Sequence, residues 1–262
     1  MRRGQLSVFV IVAILVVIIT GIIIYGNLQL SNQAQQELGT QYELSGMRVY
    51  VADCLGMATE EALLKAGRSG GFLSETVPGI HLLLIDSANS DSLEPLWIPY
   101  YFEIGKIYTP ELPQLEQGLE LQLSQKVQEC LASHHLAGQF NAVDSQTTIT
   151  ILPDLLKVSV EGIDVIESRA VTRLNPVVLE LPVRLGRLLA SAEQIATAQQ
   201  PDVELLCASC LLDVAETNGI EINMVPFPNE DAVILSLTDP QSVINNKPYR
   251  LLVAMKFLGG EQ

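Results

Sequence analysis

Thr148-Ile-Thr-Ile-Leu152, Leu155-Leu-Lys-Val-Ser-Val-Glu161, Val165-Ile-Glu-Ser-Arg-Ala-Val-Thr-Arg173 and Val177-Val-Leu-Glu-Leu-Pro-Val183 follow one another across gaps that each carry Pro, Gly, Asp or Asn. Polar and apolar side chains alternate through them, and a period of two places one set on a buried face. The four runs therefore predict strands, and together an antiparallel sheet. Behind them, Leu185 to Gln199 and Val203 to Thr217 space their apolar residues by three and four, which predicts two helices separated by the Gln200-Pro201 break. Ile220 to Met224, Val233 to Thr238 and Tyr249 to Phe257 return to strand texture. Strands, then helices, then strands is the order of an α+β domain, expected over residues 147–262 with its boundary near Asn141 to Gln146.

Upstream, residues 42–140 predict a helical region containing a hairpin. From Tyr42, Leu44, Met47, Val51, Cys54, Leu55, Ala58, Ala62 and Leu63 form one apolar face, and the helix ends near Ala66. Gly67, Gly70 and Gly71 then suit a C-cap and turn. Ile80 to Ile85 and Leu96 to Ile104 predict two strands joined by the polar loop Asp86 to Glu94, most simply as a hairpin. Thr109-Pro110-Glu111 combines a capping hydroxyl, a proline suited to the first turn and an early acid, so it opens a helix reaching about His135. Leu115, Leu119, Gln122, Leu123, Val127, Cys130 and Leu131 line one side of it.

The first 25 residues predict location. Met1 to Gln5 form a short cytoplasmic end, and Leu6 to Tyr25 are twenty residues without a charge. At about 1.5 Å per residue, such a helix spans roughly the 30 Å of bilayer hydrocarbon. A secretory signal has a shorter apolar core and a small-residue cleavage site, so a retained anchor fits better than a removable signal. Arg2 and Arg3 flank the run, and basic flanks remain in the cytoplasm, which places the rest of the chain outside. Residues 26–41, rich in Gln and Asn, predict a helical stalk, with a flexible linker as the alternative. The lipid bilayer is thus the first expected partner.

Beyond residue 25 the chain holds 13 basic residues against 30 acidic ones, a net charge near −17. Phosphate backbones require a basic surface, so nucleic acid is not an expected partner. The apolar content is far too high for a disordered tail, and the length suffices for an ordinary core.

Val51-Ala-Asp-Cys54-Leu55 and Val127-Gln-Glu-Cys130-Leu131 share a pattern on the two upstream helices, which suggests that they face one another. A Cys54–Cys130 bridge is the favoured reading, and two buried free thiols are the alternative. Outside the cell a disulfide persists, and closing a loop of this length constrains the unfolded chain by roughly 3 to 5 kcal/mol. Cys207-Ala-Ser-Cys210 has the spacing of dithiol oxidoreductases and of half of many zinc sites. Its apolar neighbours place it inside the Val203 to Thr217 helical pattern, between Glu204 and Asp213. That favours a local structural disulfide or free thiols over a redox pair. Zinc would need a second ligand pair, for which Cys130 with His134 is the one spaced candidate; His134 and His135 read instead as a solvated helix end.

Other motifs yield ordinary structural readings. Gly67-Arg-Ser69-Gly-Gly71 resembles the loop around a chymotrypsin-type nucleophile by one pentapeptide, but it closes a helix and brings neither base nor orienting acid. Asp86, Asn89, Asp91 and Glu94 lack the spacing and glycine of a calcium loop, so a hydrated turn is expected. Trp97, Tyr100, Tyr101 and Phe102 could form a binding platform, although aromatic residues in strands more often belong to the core. There is no phosphate loop, dinucleotide turn or HExxH sequence, and no cofactor or metal is expected.

Two resemblances follow from these segments. Arg2-Arg3-Gly4-Gln5-Leu6-Ser7 resembles the class III signal of archaeal pilin-like proteins, in which the chain is cut before the Gln and the hydrophobic helix packs into a filament core. This resemblance implies cleavage between Gly4 and Gln5 and self-assembly through the N-terminal helix; Phe9 stands where those pilins usually carry an acid. Tyr50-Val-Ala-Asp-Cys54-Leu, Gly67 to Phe72, Ile98-Pro-Tyr-Tyr-Phe102, Cys130-Leu131 and Asn246-Lys-Pro-Tyr249 together resemble uncharacterised single-span membrane-anchored proteins of DPANN archaea. That second resemblance implies an anchor and an outer α+β region, and no activity.

The expected function is that of an extracytoplasmic surface protein with a structural, adhesive or assembly role, without an identified catalytic set. The alternatives are a membrane-tethered thiol-disulfide oxidoreductase using Cys207 and Cys210, and a ligand-binding ectodomain acting through other membrane proteins.

Overall fold

The computed structural model describes residues 45–73, 82–85, 96–133, 140–167, 170–199, 205–227 and 231–258. The apolar run 6–25, the stalk 26–41, the Gly4–Gln5 junction, the loop 86–94 and His134–His135 lie outside the described residues. Among the described residues no helix is long and apolar enough to cross a membrane. The chain divides into residues 1–50 and a second unit, Val51–Gln262. The fold below is that of the second unit.

It is α+β, as the order of elements predicts, with four helices among the described residues. Within it, helix α1 covers residues 51–68 and buries Val51, Cys54, Leu55, Ala58, Ala62, Leu63 and Ala66 along one face. Helix α2, Leu112–Ser133, buries Leu115, Leu119, Leu123, Val127 and Leu131, a stripe repeating every four residues. Helix α3, Leu185–Gln199, matches its expected bounds, and α4 spans Ala208–Asn218.

The largest sheet runs in the order β1, β2, β12, β11, β10, with β3 on β2. Its members are β1 (Leu82–Ile85), β2 (Leu96–Glu103), β3 (Lys106–Ile107), β10 (Glu221–Phe227), β11 (Ala232–Ile244) and β12 (Lys247–Lys256). The first two pair antiparallel, Leu82 opposite Pro99, which is the expected hairpin pairing. β11 and β12 turn at Asn245-Asn246, both with positive φ, which suits the twist of a tight hairpin. β12 lies parallel to β2, Ala254 beside Tyr100. The boundary expected near Asn141 to Gln146 therefore falls inside one unit, because three strands from before it share a sheet with three strands from after it.

The four runs between residues 148 and 183 form two small sheets instead of one. β5 (Gln146–Ile151), β6 (Leu156–Glu161) and β9 (Val177–Leu181) make an antiparallel trio. The run expected as one strand from Val165 to Arg173 doubles back as β7 (Asp164–Glu167) and β8 (Ala170–Arg173), which pair with each other, and β7 also pairs with β4 (Phe140–Asn141). Opposite charges close this hairpin: Arg173 Nε donates to Asp164 Oδ1 at 2.9 Å and holds the carboxyl below its usual range.

Close packing joins α1 to β12. The Tyr249 hydroxyl donates to the Leu63 carbonyl at 2.9 Å, and the Tyr101 hydroxyl to the Gly70 carbonyl at 2.8 Å. Both phenols are fully buried, and loss of hydration pushes both above their ordinary value. A side chain at Gly67 would collide with the Arg250 carbonyl, so the helix end approaches the strand only because that residue has none.

Candidate functional site

Helix α4 starts five residues later than its apolar pattern predicts, and a side chain accounts for the delay. In a helix running from Val203, the Cys207 N–H would bond within the helix. Instead it donates to Gln199 Oε1 at 2.8 Å, while Gln199 Nε2 donates to the Leu205 carbonyl at 2.6 Å. Gln199 is the buried last residue of α3, so its amide ties down the connection ahead of α4. Cys207 becomes the N-cap, with φ −72° and ψ 87°, and its sulfur accepts the Cys210 N–H at 3.3 Å. The CxxC motif thus opens a helix, which corrects the reading that set it within one.

Cys207 and Cys210 are joined in a disulfide, their Cα atoms 5.3 Å apart. Both are partly exposed, and Ala208 and Ser209 between them are exposed. The Ser209 hydroxyl lies 3.5 Å from Cys207 Sγ. At the other end of α4, Gly219 in the left-handed region donates its N–H to the Ala215 carbonyl and ends the helix.

The second disulfide joins Cys54 to Cys130, 76 residues apart, and pins α1 to α2. Cys54 is fully buried. An open hollow of about 330 Å³ lies against this bridge, and an ion pair from Lys126 Nζ to Glu61 at 2.8 Å crosses its wall. The Glu61 carboxylate holds the exposed Lys126 ammonium above its ordinary value.

No family model, curated protein or solved structure matches this chain.

The remaining candidate residues fall into the scaffold. Ser69 donates its hydroxyl to the Lys65 carbonyl at 2.9 Å, one turn back, so the chymotrypsin-like pentapeptide is a helix end. Tyr100, Tyr101 and Phe102 are core residues, not a platform, and Trp97 is half-buried. Among the described residues no three His, Cys, Asp or Glu side chains gather as a metal set.

One buried polar cluster was not foreseen in the sequence. Arg184, just ahead of α3, forms an ion pair with Asp239 on β11 through Nε at 2.8 Å and also through Nη2. Ser242 Oγ donates to the same carboxylate and accepts the Arg184 N–H at 2.8 Å. Burial alone would raise the Asp239 carboxyl, but the bonds from Arg184, Ser242 and the Gln241 N–H outweigh it and hold it below the usual range. Arg184 Nη2 also reaches the Gly219 carbonyl at 3.4 Å. The cluster ties α3, β11 and the end of α4 together, and its fully partnered groups suit scaffolding better than catalysis. The only sequence signal for it was an Arg just before a helix and an Asp-Pro immediately after the Val233 to Thr238 strand run.

Proposed function

We propose that this chain is a single-span membrane protein displaying an acidic, disulfide-stapled α+β ectodomain on the outer face, with a structural or assembly role. The observation that carries the reading is that all four cysteines are paired in two disulfides. Reducing compartments keep thiols free, so two bridges favour an extracytoplasmic address. Leu6 to Tyr25 has the length and apolarity of an anchor, and Arg2 and Arg3 favour retention of that end in the cytoplasm. The pilin-like start at Gly4-Gln5 and the likeness to anchored DPANN archaeal proteins support the same arrangement, with lateral assembly through the N-terminal helix.

The test is extraction from the native membrane followed by intact mass and electron microscopy. The proposal expects the chain to resist an alkaline wash, to be digested by protease added outside intact cells, and to have four oxidised cysteines. A mass starting at Gln5 together with filaments supports pilin-like assembly, whereas a Met1 start without filaments supports a simple anchored ectodomain. Release into the soluble fraction with free thiols overturns the proposal.

A further inference from the structure

The two disulfides occupy contrasting environments. Cys54 is fully buried between two long helices, with its partner Cys130 partly exposed, whereas both Cys207 and Cys210 are partly exposed at the start of α4. Several features act on the Cys207 sulfur. It caps an eleven-residue helix, where unpaired N–H groups and the aligned peptide dipoles favour negative charge. The Cys210 N–H already donates to it, and the Ser209 hydroxyl is close enough to do the same. The buried Gln199 amide fixes the backbone on which it stands. Such surroundings stabilise a sulfur anion, and stabilising the reduced form makes a disulfide a stronger electron acceptor.

We propose that Cys207–Cys210 is a redox-active disulfide that accepts two electrons from a dithiol polypeptide, with Cys207 as the sulfur that forms the mixed disulfide. A partner thiolate attacks Cys207 Sγ; a bond forms between those sulfurs, the Cys207–Cys210 bond breaks, and Cys210 leaves as a thiolate. The partner's second thiolate then attacks the partner sulfur of the mixed disulfide and releases Cys207 as a thiolate at the helix start. The partner ends as a disulfide and this chain as a dithiol, the two protons of the partner thiols passing through solvent to Cys210 and Cys207. The Cys54–Cys130 bridge, which lies between two packed helices and away from any helix start, takes no part. This exchange requires neither the anchor nor a particular membrane orientation.

The experiment titrates the full-length protein in detergent with mixtures of reduced and oxidised glutathione, followed by acid quench, maleimide labelling and peptide mass. The expected result is complete opening of Cys207–Cys210 at ratios that leave Cys54–Cys130 oxidised. In Cys210→Ser, oxidised glutathione should load Cys207 at least tenfold faster than it loads Cys210 in Cys207→Ser. Opening of both bridges together, or equal loading of the two variants, overturns the proposal. The titration of the unsubstituted chain decides the matter even if a variant folds poorly.

Discussion

Arg184 and Asp239 are almost completely withdrawn from water, so each depends on the other for stabilisation of its charge. Removing one partner of a buried pair typically costs about 3 to 5 kcal/mol, because the remaining charge is left without compensation. Asp239→Ala should therefore lower the urea midpoint sharply at pH 7. The carboxyl is held below its unfolded value, so its contribution is present above about pH 4 and fades as pH falls through the folded value. The gap between Asp239→Ala and the unsubstituted chain should accordingly narrow at pH 3; a gap independent of pH would refute the electrostatic account. At this scale the sequence was legible where a pattern repeats. The Val-x-x-Cys-Leu likeness at residues 51–55 and 127–131 pointed to the bridge between α1 and α2. It was misleading at the CxxC, because apolar spacing carries no sign that the Gln199 side chain would take the backbone groups a longer helix needs.

Helix α2 and strand β5 were both visible in the sequence, but the way they meet was not. Glu116 Oε1 accepts the Ile151 N–H at 2.8 Å, and Glu120 Oε1 accepts the Ile149 N–H at 3.1 Å. A four-residue step on the helix thus matches a two-residue step on the strand, and two carboxylates cover donors on the edge of the β5-β6-β9 sheet. Glu116→Ala and Glu120→Ala should each cost about 1 to 2 kcal/mol in chemical denaturation by leaving an N–H without its acceptor. The corresponding Gln variants retain an oxygen and should lose less than half as much; equal losses for Ala and Gln would mean that charge, not the hydrogen bond, is responsible. Strand pairing was legible where a short connection forces it, as for β1 with β2, and illegible where it does not. Nothing in the periodicity of Val165 to Arg173 distinguishes a nine-residue strand from two four-residue strands folded on each other. Nor does it reveal that β12 would pair with β2, since parallel neighbours are joined through distant sequence.

Across the unit formed by residues 51–262, the Cys54–Cys130 bridge is the longest covalent constraint. Closing a loop of this length limits the unfolded chain by about 4 kcal/mol under the chain-entropy treatment. Cys54→Ala should lower the melting temperature by many degrees, and a shift under 2 °C would show that the packing of α1 and α2 holds without it. The α+β class was readable from the order of elements, and the division at residues 141–146 was not, because it assumed that neighbours in sequence remain neighbours in the sheet. The insertion of β12 between β2 and β11 has a consequence for the order of synthesis. A ribosome delivers β2 about 150 residues before its lateral partner, at a pace of roughly 5 to 20 residues per second. For those seconds the hairpin of β1 and β2 has one ladder unfilled. The central sheet closes only when Lys247–Lys256 has emerged, so the unit cannot complete its fold until the strand that fills its middle has been made.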